Sequence, residues 1–268
     1  MRRLERSDGV AIHWEEAGDG PLVVLVPHCF AHPSVFDPIS DELASDHRVV
    51  RYHARGTGES TRRGPFDMET GTADLAALIE EAGGAAVTIS MGDATNRAVR
   101  VAASRPDLIH AVVGMPPFSV DAFADTDAMA SSRTVLEALL EMIEKDYRGA
   151  IRSLVTSGNP QMSEGEIRDR VQGQIEYCPQ EAAVPLFHAW IVDDATSWAK
   201  EIGRRLWAIY SDEMGGPWFP PAHQITAIIR ENFPEARTNE LEDGIVSRPD
   251  VTAALVRRIT AGARTPAH

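Results

Sequence analysis

The sequence predicts an α/β protein with a mostly parallel central sheet and one inserted all-helical segment. Between residues 10 and 117, apolar runs typical of buried strands alternate with segments of helical apolar spacing. From residue 118 to about residue 200 the apolar spacing is helical only, and the alternation returns after it. We therefore expect a core domain formed by residues 1–117 and 201–268. Residues 118–200 are expected to form a helical lid (cap) over one end of the sheet.

The elements of the first half follow from apolar spacing and turn residues. Residues 10–28 predict two strands around the Gly18-Asp19-Gly20 turn, and the second is continuously apolar, as expected of a buried strand. Further strands are predicted at residues 47–53, 85–90 and 109–115. Helices are predicted over Ser34–Ala44, Asp74–Ala82 and Asp93–Ser104.

The second half is interpreted in the same way. The inserted segment has helical apolar spacing around Val135–Ile143, near Ile151–Leu154 and at residues 185–190. After the insertion, the predicted elements are a strand at residues 204–210, a helix near Ile225–Arg230, a weak polar strand at residues 236–242 and a last helix near Val251–Ile259.

Composition and charge limit the classes of partner. The chain has 268 residues, 43% of them hydrophobic, and its 40 acidic and 26 basic residues give a formal net charge of −14. Such a charge repels phosphate backbones and anionic lipids, so we expect neither a nucleic-acid nor a membrane partner. The longest apolar run, Leu22–Val26, is too short to span a bilayer. The start, MRRLERSDG, lacks the apolar stretch of a secretory signal, and Cys29 and Cys178 allow one disulfide at most. We expect a cytoplasmic protein with a small-molecule ligand, and its oligomeric state stays open.

Four segments of the chain occur in an order that resembles a known family. They are VPHCF at residues 26–30, YHARGTGES at 52–60, TISMGDATNRAVRVAASRPD at 88–107 and FPEAR at 233–237. The first stands where the α/β-hydrolase family has a His-Gly turn, and the second resembles its Y-D-x-R-G-x-G-x-S segment. The third resembles its nucleophile elbow, a strained strand-to-helix turn, and the fourth resembles the run into its last strand. The resemblance covers nearly the whole chain and implies the α/β-hydrolase fold.

The resemblance leaves three alternatives for the elbow. Counting back from Pro106 by the family's usual helix length places Gly92 at the tip, and glycine readily adopts the positive φ that a tip requires. In that register the position of the nucleophile has no side chain. A second register makes Ser90 the nucleophile, with Thr88 and Gly92 as its small neighbours. The third alternative is a carboxylate nucleophile at Asp93.

The rest of the Ser-His-Asp triad is missing from the positions that the family implies. The acid should lie in residues 211–219, where Met214 occupies its place. The histidine should follow the last strand, yet none occurs between His223 and the C-terminal His268. Because the triad needs an imidazole to accept the hydroxyl proton, the sequence predicts a degenerate triad.

Several residues near the elbow remain candidates for chemistry. The resemblance implies that backbone N–H groups of Phe30 and Asp93 lie at the oxyanion position. Cys29 is a candidate thiol nucleophile that His28 or His32 would activate, or else a small buried apolar residue. Asp93 is a candidate general acid or base, or else a helix cap.

The predicted lid and the elbow helix add further candidates. His188 either hangs over the pocket or is a hydrogen-bonded core histidine, and Trp218 is expected to line an apolar pocket. Asn96 and Arg97, about one turn beyond the elbow, are expected at the surface or at the helix end. No metal-ligand spacing and no Gly-rich phosphate loop occurs in the sequence, so we expect no metal and no nucleotide cofactor.

These features favour an enzyme that acts on a small, largely apolar carbonyl compound without an acyl-enzyme intermediate. The expected chemistry is acid–base or pocket-templated cyclisation, isomerisation or elimination. One alternative is an ester or lactone hydrolase that uses Ser90 with a displaced base such as His188. Another alternative is a non-catalytic binding or scaffold protein that retains the cavity.

Overall fold

An eight-stranded sheet lies at the centre of the computed structural model, which describes residues 1–29, 31–115, 127–158, 161–210, 221–240 and 248–263. The strands are β1 (Arg2–Glu5), β2 (Ala11–Ala17), β3 (Leu22–Val26), β4 (Arg48–Tyr52), β5 (Ala86–Met91), β6 (Ile109–Met115), β7 (Leu206–Tyr210) and β8 (Arg237–Glu240). Their order across the sheet is β1-β2-β4-β3-β5-β6-β7-β8. From β4 to β8 all neighbours are parallel, and β2 is antiparallel to both of its neighbours. This confirms the predicted α/β class with a mostly parallel sheet.

At the N-terminal edge of the sheet, the order of the strands departs from their order in the chain, and one strand was not predicted. The strands on either side of the Gly18-Asp19-Gly20 turn do not pair with each other, because β4 lies between them. β2 pairs in the antiparallel sense with one side of β4, and β3 pairs in the parallel sense with the other side. β1 has no counterpart among the predicted strands. It is a polar and mostly exposed strand without an apolar run.

The helices follow the predicted order. They are α1 (Asp37–Leu43), α2 (Met68–Glu81), α3 (Asp93–Ser104), α4 (Asp127–Lys145), α5 (Tyr147–Gly158), α6 (Glu164–Tyr177), α7 (Gln180–Ile191), α8 (Thr196–Ile202), α9 (Ala222–Asn232) and α10 (Pro249–Ala263). α2 begins earlier than predicted because the Asp67 side chain caps it by accepting a hydrogen bond from the backbone N–H of Thr70. Within the described residues, no helix combines the length and the apolar character needed to cross a membrane.

Helices cover both faces of the sheet, and alternate residues of the central strands point into the two layers. On β3, Val24 and Val26 pack with α2, α3, α8 and α9, whereas Val23 and Leu25 pack with α1 and α10. All five residues of β3 are buried, which explains why this strand is apolar throughout.

The helices α4 to α7 have an apolar core of their own. Residues of all four helices form it, including Ile143, Ile151, Val171 and Phe187. The turn after β3 contributes Cys29 to the same cluster. α8 crosses the end of the predicted insertion at residues 118–200, and it packs against α3 in a layer that covers the sheet.

Candidate active site

The candidate site lies at the carboxyl ends of two neighbouring parallel strands. β3 and β5 run side by side, with Val26 opposite Ser90, so the turns that follow them meet at one edge of the sheet. His28 and Cys29 belong to the first turn, and Gly92 and Asp93 belong to the second. In open α/β sheets ligands bind in the crevice outside these strand ends.

Gly92 forms the turn between β5 and α3. Its φ of +54° and ψ of −125° define a conformation that side chains disfavour. A Cβ atom built at this position would lie 2.5 Å from Cδ2 and 3.1 Å from Nε2 of His28. The structure thus places Gly92 at the elbow tip, as the first register predicts, and the His28 imidazole occupies the space of the missing side chain.

Ser90 lies two residues before the tip, inside β5. Its side chain is fully buried, accepts a hydrogen bond from Thr95 Oγ1 at 3.0 Å and donates one to the Val113 carbonyl at 3.4 Å. These contacts make Ser90 a packed residue of the strand. A serine nucleophile needs a base within hydrogen-bond distance of its hydroxyl, and this geometry therefore gives the Ser90 register no support.

Asp93 is the first residue of α3, and its carboxylate reaches back to the other turn. Oδ1 accepts a hydrogen bond from the backbone N–H of Cys29 at 2.9 Å, and Oδ2 accepts one from the Arg97 guanidinium at 2.7 Å. The side chain makes no cap on the helix, so the helix-cap alternative is wrong. Both carboxylate oxygens are held in place, which makes Asp93 the group that joins the two turns.

Arg97 and Asn96 are buried, and their prediction as surface or helix-end residues is wrong. Arg97 is 4% exposed and also donates to the Pro27 carbonyl at 3.1 Å. Although burial opposes it, the Asp93 carboxylate raises the pKa of Arg97 above its ordinary value. Asn96 is fully buried and donates to Asp193 at 2.9 Å, which ties α3 to the segment after α7. The spacing of Asp93 and Arg97, one helical turn apart, was the available sequence signal for this ion pair.

The His28 imidazole lies against three other side chains. Its Nδ1 lies 3.3 Å from Cys29 Sγ and 3.8 Å from Asp93 Oδ1. Its ring is nearly perpendicular to that of Trp190 on α7, with the ring centroids 5.0 Å apart, and 20% of its side chain is exposed. Burial lowers the pKa of His28 below its ordinary value, and the Asp93 carboxylate opposes that shift. A pKa below the ordinary value favours the uncharged imidazole, which is the form that accepts a proton.

His28, Cys29 and Asp93 also bring nitrogen, sulfur and oxygen donors within 4.8 Å of one another. Sequence spacing did not indicate this group because Asp93 is distant along the chain. Such donors suit a zinc-type ion, but the carboxylate is already neutralised by Arg97. A cation bound here would meet the guanidinium charge, so we do not assign a metal centre.

The remaining predicted site residues lie apart from this group or outside the described residues. His32 is exposed and caps the short 3-10 turn Pro33–Phe36, where its Nδ1 accepts from the backbone N–H of Ser34 at 3.1 Å. His188 is exposed on α7 and lines a pocket with Asp67 and Glu144, so its alternative role as a core histidine is wrong. Phe30, Met214 and Trp218 lie outside the described residues.

Replacing Gly92 by alanine is expected to lower the free energy of unfolding by about 1–3 kcal/mol, because the added Cβ is strained at this φ and meets the His28 ring. Gly173→Ala is the matched control, since Gly173 lies in α6 with open space around its Cβ position. The control should raise stability by about 0.5–1 kcal/mol through its helix propensity. Urea denaturation measures both variants, and equal effects would contradict a strained tip at Gly92.

Comparisons with known proteins reveal a structural likeness only. No family model and no curated protein matches the chain. Three of the similar solved structures are an α/β hydrolase from Sphaerobacter thermophilus, an esterase from Exiguobacterium antarcticum and a bromoperoxidase from Bacillus anthracis. Their sequence identities are 23%, 14% and 17%, with TM-scores of 0.69, 0.79 and 0.76. The alignments cover 97%, 96% and 94% of this chain and 100%, 98% and 96% of the respective other chains. At identities this low a structural likeness shows the fold alone. The architecture of this chain is therefore the α/β-hydrolase fold.

Proposed function

We propose that the protein is an enzyme that transfers protons on a small carbonyl compound and uses His28 as its general base and acid. The observation that carries this proposal is the position of the His28 imidazole, which fills the space next to Gly92 where a nucleophile's side chain would begin. A glycine at the tip has no atom that forms an acyl-enzyme. The group that occupies the place of the nucleophile's hydroxyl is therefore an imidazole.

The surroundings of His28 support this role. Its Nδ1 faces the Asp93 carboxylate and the Cys29 thiol, so the opposite ring nitrogen, Nε2, lies on the side of Gly92. Nε2 would accept a proton from the carbon next to the substrate carbonyl. The Asp93 carboxylate favours the imidazolium that forms, while the nearby Arg97 guanidinium opposes it, so the imidazolium would be short-lived and would give the proton up again. The same imidazolium would return the proton to another atom of the substrate, which completes an isomerisation, a cyclisation or an elimination.

The adjoining apolar cluster supports a small, largely apolar substrate. Trp190 meets the His28 ring, and Phe187 packs on Trp190 with ring centroids 5.3 Å apart. Both belong to α7, one of the helices that form the proposed lid. Aromatic side chains beside a proton-transfer group would suit an apolar ligand with a single polar function.

A second candidate function is hydrolysis of an ester or lactone by a water molecule that His28 activates. The similar solved structures favour it, since they include an esterase and an epoxide hydrolase from Bacillus megaterium. This route also needs no side chain at the elbow tip. Hydrolysis through Ser90 and His188 has no such support, because Ser90 is buried in β5 and His188 is exposed on α7.

A screen in D2O separates these functions. The protein is incubated with a panel of enolisable ketones, esters and lactones, and proton NMR follows both deuterium incorporation beside the carbonyl and hydrolysis. In parallel, a fluorophosphonate probe tests for a reactive serine. We expect deuterium incorporation into at least one carbonyl compound, and no labelling by the probe.

Each other outcome selects a different function. Hydrolysis without deuterium incorporation and without labelling would establish the water-activation route instead. Stoichiometric labelling that disappears in Ser90→Ala would overturn the proposal in favour of a serine hydrolase. Binding of panel compounds without any turnover would indicate a ligand-binding protein.

A further inference from the structure

A pocket of about 510 Å³ lies at the amino-terminal edge of the sheet, opposite the strand ends that carry His28. It is surrounded by the first residues of β6, β7 and β8, by the turn before β7 and by the end of α10. Five of its lining residues are basic: His110, Arg204, Arg205, Arg237 and Arg258. The other lining residues are Ala111, Trp207, Ile259 and Gly262, so the described lining contains no carboxylate.

This concentration of positive charge contrasts with the rest of the chain, whose formal net charge is −14. Neighbouring guanidinium groups repel one another, and the repulsion is relieved when an anion binds between them.

Two of the arginines have partners that hold them in place. Arg205 donates to the Ile109 and Ala102 carbonyls at 3.2 and 2.9 Å, and Arg204 pairs with Glu235 at 2.9 Å.

The other two arginines are exposed and have no carboxylate partner within the described part of the chain. The Arg237 guanidinium lies over the Trp207 ring, 4.5 Å from its centroid. Stacking on an aromatic face restrains the guanidinium while leaving its N–H donors at the ring's edge. Arg258 projects from the last turns of α10 into the same pocket. The pocket therefore holds two cations whose charge the described residues do not neutralise.

We propose that this pocket binds a small, multiply charged oxyanion, namely a compound with phosphate or carboxylate groups. Planar guanidinium groups match the oxygens of both groups with paired hydrogen bonds, and a pocket of this volume accommodates a small metabolite. The site is separate from the elbow, so it does not depend on the function proposed for His28.

Isothermal titration calorimetry with pyrophosphate, and separately with citrate, tests the site at an ionic strength of about 0.02 M, where screening is weak. We expect at least one of the two anions to bind with one equivalent per chain, and the preferred anion identifies the phosphate or carboxylate class. In the double variant Arg237→Gln/Arg258→Gln the Kd should rise at least about tenfold, because two charged hydrogen-bond donors are lost.

The matched control is Arg168→Gln/Arg170→Gln, which removes two exposed positive charges from α6. The control should bind the anion as the native chain does. The single variant Arg258→Gln is a second test in case the double variant misfolds, because the Arg258 side chain makes no hydrogen bond within the described residues. This single variant should also weaken binding. The proposal is overturned if neither anion binds, if the variants bind with native affinity, or if the control loses as much affinity as the double variant.

Discussion

Replacing His28 by glutamine is expected to lower kcat by about 10²- to 10⁴-fold on whichever carbonyl compound exchanges fastest, with a much smaller change in KM. Glutamine keeps a polar side chain beside Gly92 but has no titratable nitrogen. His188→Gln is the control, because His188 is exposed on α7 and lines a different pocket. The rate of deuterium incorporation measures both variants. If His28→Gln retains native activity, or if His188→Gln is the variant that loses it, His28 is not the base.

The pH dependence of the native enzyme provides a second test of the same residue. Burial lowers the pKa of His28 below its ordinary value of 6.5. The imidazole therefore stays neutral at a lower pH than a free histidine does. We expect kcat/KM to be constant near neutral pH and to fall at acidic pH, when the imidazole becomes protonated. The apparent pKa of that fall should lie below 6.5. A fall with an apparent pKa above neutrality would contradict the assignment.

Replacing Arg97 by methionine is expected to lower the free energy of unfolding by about 3–5 kcal/mol. The side chains of Arg97 and Asp93 are 5% and 4% exposed, so the variant leaves the Asp93 carboxylate buried without its positive partner. The hydrogen bond to the Pro27 carbonyl is lost as well. Urea denaturation at neutral pH measures the change.

An exposed arginine is the control for this variant. Arg105 pairs with Asp107 and Glu80, but its side chain is 43% exposed, so Arg105→Met should change stability by only about 0–1 kcal/mol. Adding Asp93→Asn to Arg97→Met should recover part of the loss, because the unpaired charge disappears. A loss in Arg97→Met no larger than that in the control would show that the buried pair contributes little to stability.

The sequence by itself determined the layered fold and the segment of the chain that forms the elbow. The bounds of α3 and β6 followed from local apolar periodicity, and Pro106 marked the end of the elbow helix. Gly92 was favoured at the tip by the count back from Pro106 that the family resemblance implies, and its positive φ agrees, since glycine adopts that conformation readily. These features depend on interactions between residues that are close in the sequence, so the sequence pattern is sufficient to predict them.

Only the tertiary structure decided which side chains meet at the elbow and at the opposite edge of the sheet. His28 and Asp93 come together because β3 and β5 are neighbours, whereas the spacing of Asp93 and Arg97 within α3 already indicated their ion pair and only its burial depends on the packing of α3. The arginine pocket likewise collects residues from three strands and the last helix. A sequence pattern does not show such encounters, because charge and proximity between distant residues depend on strand order and on the packing of the helices over the sheet.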